Sequence, residues 1–176
     1  QPEMLAAAAR HGALAVLLPP TLNALLHELA AGHPVLVLLN LSLPIWPRWH
    51  YAVVVGYDLD RGELTLHSGE QAEARWTFNT FEHTWGRSAH WAMGVSRPQQ
   101  LPATAGADAV RTGLLALERA TSAVTAEPGW AAAAARWPDD LVIGMGLGNS
   151  RVAAGDAAGA LRAFEQVTQR HDSAAA

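Results

Sequence analysis

The chain has 176 residues, enough for one domain of ordinary size or one domain with an appendage. Half of the residues are hydrophobic and seven are Trp, so a real core can be buried, yet no apolar run approaches the ~18–20 residues that a membrane span needs. Net charge is −4, all twelve basic residues are Arg and none of them cluster, which leaves nucleic-acid binding without an electrostatic footprint. With no Cys, these residues cannot form a disulfide, a Cys-ligated zinc site or a cysteine nucleophile.

In chain order, residues 2–11 (PEMLAAAARH) read as a short helix, with Pro2 suited to its first turn and Gly12 to its end. ALAVLL (13–18) reads as a short buried strand stopped by Pro19-Pro20. Thr21 is placed to cap a second helix, LNALLHELAAG, on which Leu22, Leu25, Leu26 and Leu29 share one face, and Gly32 is its stop. PVLVLLNL (34–41) reads as a strand buried on both faces, and LPIWPRW (43–49) as a loop with two prolines.

HYAVVVGYD (50–58) is the next strand, LDRG (59–62) a turn and ELTLHSG (63–69) an alternating return, so the 48–57 and 63–68 segments are expected to pair as an antiparallel hairpin. ARWTF (74–78) reads as a further strand, Asn79 or Thr80 as the cap of a helix through Trp85, and HWAMGVS (90–96) as the last strand. At RPQQLPATAGAD (97–108) the composition shifts to a Pro- and Gly-containing linker, and beyond it the chain is Ala-rich and helical. This order predicts an α+β class: a sheet domain over 1–98, a linker over 99–107 and an all-α tail over 108–176.

One polar group stands out: His50 opens a run of apolar, β-favouring residues. Such a ring is either a catalytic base at a cleft or an ordinary strand-end polar residue. The other signals have simpler readings. His27-Glu28 and His33 lack the four-residue step of HExxH and read as a solvated helix face; His67, His83 and His90 show no ligand spacing, so no metal or cofactor is expected. GMGLGN (144–149) lies in helical surroundings without a preceding strand, which favours close helix packing over a phosphate loop. Trp46 and Trp49 are expected at the rim of any cleft near His50, Tyr57 in the hairpin, and Asp58 as a turn cap.

The order of LHELAAGHPVLVLLN, HYAVVVGYD, GELTLHSG and TFEHTW resembles the C39-like cysteine peptidases, a bacterial branch of the papain-type fold. The resemblance covers most of residues 1–100 and implies a mainly antiparallel papain-like sheet with flanking helices. It also implies that His50 is the base paired with a cysteine nucleophile. An imidazole, with an ordinary pKa near ~6.5, takes the thiol proton and returns it to the leaving amine. In the family the cysteine and the oxyanion-hole Gln precede the part that this chain resembles, so the chain is expected to be a fragment, inactive by itself. Where the family has an orienting Asp, this chain has Ser68, eighteen residues after His50; Asn40, on the neighbouring strand, is the other candidate to orient the ring.

Residues 141–172 resemble a tetratricopeptide repeat: Leu147 and Gly148 match its first helix, AAGD (153–156) its turn, and Ala160, Phe164 and Val167 its second helix. Pro138, Trp130 and Ala133 fit a preceding degenerate repeat, while Gly144 and Arg151 depart from the usual Trp and Tyr. Two functions follow from the resemblances. In one, the parent protein hydrolyses peptide or related amide bonds. In the other, the sheet domain is a non-catalytic peptide-binding cleft and the repeats recruit a protein partner. The resemblance suggests a bacterial, exported or envelope-associated setting. Loss of the family's N-terminal helix would expose an apolar face along the central strands and allow a homodimer.

Overall fold

The structure, a computed structural model, describes residues 1–43 and 45–174; Pro44 of the expected loop lies outside them, as do Ala175 and Ala176 of the tail. In chain order the elements are α1 (Pro2–Arg10), β1 (Leu14–Leu17), α2 (Leu22–Ala30), β2 (Val35–Asn40), β3 (Trp49–Asp58), β4 (Glu63–Ser68), β5 (Gln71–Thr77), α3 (Phe78–Gly86), β6 (Ala92–Ser96), α4 (Ala107–Ala120), α5 (Ala123–Arg136), α6 (Leu141–Ala153) and α7 (Ala157–Ala174). The class is α+β, with the strands before residue 97 and an all-helical C-terminal region. No helix among the described residues is long and apolar enough to cross a membrane.

The chain divides into two compact units. One comprises residues 17–95 with 102–105, the other residues 1–16, 96–101 and 106–176. The sequence expectation of a sheet domain over 1–98 differs at its start, because α1 belongs with the C-terminal helices. Its packing partner there is α4. A short Ala-rich helix carries no signal for which later element will cover it, so sequence order was the only guide.

In the sheet unit β6, β2, β3, β4 and β5 lie side by side in that order, and each pairing is antiparallel. Alternation sets the faces. Val35, Val37 and Leu39 of β2, Ala52 and Val54 of β3, and Leu64 and Leu66 of β4 are buried, with Val35 opposite Val54 and Val54 opposite Leu66. A bulge between Val54 and Gly56 then brings Tyr57 opposite Leu64, so Tyr57 lies within the β3–β4 pairing, with its side chain exposed. Asp58 Oδ1 accepts from Arg61 N–H across the turn at 3.0 Å.

Thr21 Oγ1 caps α2 by accepting from Ala24 N–H at 3.2 Å. At the other end Gly32, at φ +80°, lets its own N–H reach Leu29 O and His33 N–H reach Glu28 O. Three boundaries differ from expectation. β5 begins at Gln71, since the polar QAEA run forms an edge strand that needs little apolar character. α3 is capped by Thr77, whose Oγ1 accepts from Thr80 N–H, and not by Asn79 or Thr80. β6 begins at Ala92, because Ala89 and His90 occupy left-handed backbone at φ +54° and +55° and the strand cannot start there.

In the helical unit α4, α5, α6 and α7 form successive packed hairpins. Close approach depends on glycine. A Cβ on Gly144 would meet Val167, one on Gly148 would meet Phe164, and one on Gly146 would lie 2.7 Å from the Trp130 ring. Thus α6 presents glycine to α7 on one side and to α5 on another, which accounts for the GMGLGN stretch as helix packing. Trp130 is fully buried and its Nε1–H donates to Glu118 Oε2 at 3.1 Å.

Candidate functional site

The antiparallel register determines what can meet His50. It stands opposite Leu39 of β2, and Ala52 and Val54 follow it on the same face of β3. On β4, Leu66 is opposite Val54, which brings Ser68 to that face, beside Ala52 and diagonal to His50. His50 Nε2 and Ser68 Oγ are 2.8 Å apart, and both residues are partly buried at the end of the buried face. β4 ends at Ser68; the two-residue loop Gly69-Glu70 joins it to Gln71. Gly69, at φ +61°, provides the positive φ that this hairpin turn requires at its first central position. A Cβ there would lie 3.8 Å from His50 Cε1, so the turn backbone passes close against the ring.

Asn40 is placed otherwise. Its Cα partner is Trp49, so its side chain leaves the sheet on the face opposite to His50. It is only 2% exposed, and its Oδ1 accepts from Arg48 N–H at 2.9 Å and Ser42 N–H at 3.1 Å. The structure thus brings His50 and Ser68 together and gives Asn40 the task of tying the two stems of the loop between β2 and β3. Trp46 and Trp49 are exposed, and Trp49, Tyr51 and Val55 leave apolar area open along β3.

Two polar clusters had no clear signature in the sequence. Glu28 does not belong to a solvated face: it is 1% exposed. Its carboxylate accepts from Thr104 N–H at 2.7 Å, Thr104 Oγ1–H at 2.6 Å and Ala103 N–H at 3.0 Å, and lies 2.9 Å from His33 Nδ1. Burial pushes this carboxyl up. The Thr104 hydroxyl and amide, His33 and the Ala103 amide outweigh it and hold the group below the usual carboxylate range. The spacing of Glu28 and His33 is the one local hint; the other partners lie some 75 residues away.

The second cluster is Glu82, Trp85 and His90. His90 Nε2 is 3.2 Å from Glu82 Oε2, and its ring stands edge-on to Trp85 at 4.8 Å between centroids. Gly86 leaves room for it, since a Cβ there would lie 3.4 Å from the His90 ring. Among the described residues no group of three or more His, Asp or Glu side chains is arranged to hold a metal ion.

No family model, curated protein or solved structure matches the chain.

Proposed function

We propose that the chain carries the histidine side of a C39-like, papain-type cysteine-peptidase site, and that the protein it belongs to hydrolyses a peptide or related amide bond. The observation that carries this reading is the 2.8 Å contact between His50 Nε2 and Ser68 Oγ. If Nε2–H donates to the serine, the ring is fixed in the tautomer that leaves Nδ1 free to accept a thiol proton. In that scheme His50 takes the proton as sulfur attacks the carbonyl carbon and gives it to the departing amine. Ser68 positions the ring, and Gly69 keeps the turn backbone clear of it. The thiol is not among these residues, which contain no Cys.

The antiparallel β3–β4 hairpin gives the site a rigid mount. The interlocking of Gly148 with Phe164 and of Gly144 with Val167 supports the tetratricopeptide-like reading of α6 and α7, which suits recruitment of a protein or peptide partner. The test is the parent polypeptide, expressed with whatever its gene encodes ahead of Gln1. A cysteine alkylated by iodoacetamide and a peptidase activity that both fall ~100-fold or more in His50→Ala support the proposal. Alkylation and hydrolysis indifferent to His50 contradict it.

The uncharged Ser68 favours a second reading, because a hydroxyl does not stabilise an imidazolium as a carboxylate does. In that reading the sheet unit binds peptide without cleaving it and the helical hairpins dock a partner. Peptide binding by a parent that lacks any reactive cysteine would establish it.

A further inference from the structure

The loop between β2 and β3 has the composition of a membrane-surface anchor and a structure that holds it out from the sheet. Leu43, Ile45 and Trp46 are 61%, 78% and 76% exposed, and Trp49 at the loop's end is 53% exposed. Large apolar side chains left to themselves collapse onto the nearest core. These are held apart from it by polar ties at the base of the loop. Buried Asn40 bonds the backbone of both Ser42 and Arg48. Leu41 N–H donates to Arg48 O at 3.0 Å. The Arg87 guanidinium donates to Ser42 O at 2.9 Å and to Asn40 O at 3.3 Å. A turn at the tip is closed by Trp46 N–H on Leu43 O at 3.0 Å.

Charge indicates what the tip meets. The chain as a whole is acidic at −4, yet no Asp or Glu occurs from Leu29 to Tyr57. Arg48 is exposed at the foot of the apolar tip, and neither it nor Arg87 has an ion-pair partner among the described residues. An apolar tip bearing Trp, with guanidinium groups outside any ion pair at its base and no Asp or Glu in its own segment, complements a bilayer surface: indole and aliphatic groups enter the headgroup boundary and arginine meets phosphate.

We infer that residues 41–43 and 45–49 form an interfacial anchor that seats the sheet unit on an anionic phospholipid membrane without spanning it. The anchor is independent of the peptidase reading, and its test does not involve hydrolysis. The full chain is centrifuged with vesicles of phosphatidylcholine alone and with one quarter phosphatidylglycerol. Expected is binding to the anionic vesicles, quenching of Trp emission by brominated acyl chains, and at least a tenfold loss of binding in the double variant Ile45→Ser, Trp46→Ser. Arg48→Gln should weaken binding to the anionic vesicles and leave the weaker binding to neutral ones unchanged. Leu161→Ser, which removes an exposed apolar residue elsewhere, should have no effect. All four positions are exposed, and unchanged circular dichroism verifies that the variants fold. Absence of vesicle binding, or binding that survives the double substitution, overturns the inference. A dimer in dilute solution that the double variant disrupts, without vesicle binding, would assign the tip to a second copy of the chain and likewise overturn it.

Discussion

Glu28 and Thr104 meet twice: the carboxylate accepts both the backbone N–H and the hydroxyl of a residue 76 positions later. This fixes the Pro102–Ala105 segment to the same compact unit as α2. Removing the acceptor leaves buried donors without a partner. Glu28→Ala should therefore cost about 2–3 kcal/mol. Glu28→Gln, which keeps one acceptor, should cost less. Urea unfolding of the two variants checks the order.

The same cluster gives a pH dependence with a definite sign. The folded-state pKa of Glu28 is held below its ordinary value, so its stabilising contribution is fully present above the unfolded carboxylate value of ~4.3 and is lost as pH falls through the lower folded value. The stability difference between wild type and Glu28→Gln that is present at pH 5 should shrink as pH falls below ~4.3. A difference that grows as pH falls below 5 would show that desolvation dominates the carboxyl after all.

Asn40 supports the β2–β3 loop by geometry, so Asn40→Ala should cost about 1–2 kcal/mol and speed amide exchange at Ser42 and Arg48, whose N–H groups it accepts. Asn40→Asp retains the acceptor and should restore most of the protection. Hydrogen exchange followed residue by residue separates this local role from a general loss of stability.

Gly148 gives the converse kind of prediction. Inside an exposed helix, Gly→Ala stabilises by roughly 1 kcal/mol. Here the added Cβ would clash with the Phe164 ring, and overpacking of that kind costs about 1–3 kcal/mol. Gly148→Ala should lower the melting temperature, and a second change, Phe164→Leu, should recover part of the loss. A Gly148→Ala protein that melts higher than wild type would mean the helices are not in close contact there.

These particulars show how far the sequence could be read. The β3–β4 hairpin was legible because its apolar residues alternate on either side of a turn, and its register then placed Ser68 near His50. Thr21 and Gly32 marked α2 through local capping chemistry alone. What escaped was non-local or weakly apolar. β5 starts with polar edge residues, Thr77 caps a helix whose first residue is Phe78, and α1 gives no hint that it packs with α4. Glu28 looked solvated because its neighbours in sequence are; three of its four hydrogen bonds come from a segment beyond the sheet. Asn40 was an open candidate because adjacency of strands does not say which face a side chain takes, whereas register does.

The central claim is that His50 presents Nδ1 as a proton acceptor while Ser68 holds Nε2. The most direct measurement is the tautomer of His50, read by two-bond nitrogen–proton NMR at a pH where the ring is neutral, in wild type and in Ser68→Ala. Expected is a predominant Nε2–H form in wild type and a mixture once the hydroxyl is gone. A predominant Nδ1–H form, with Nε2 accepting from the Ser68 hydroxyl, would leave no base for a thiol at Nδ1 and would contradict the claim.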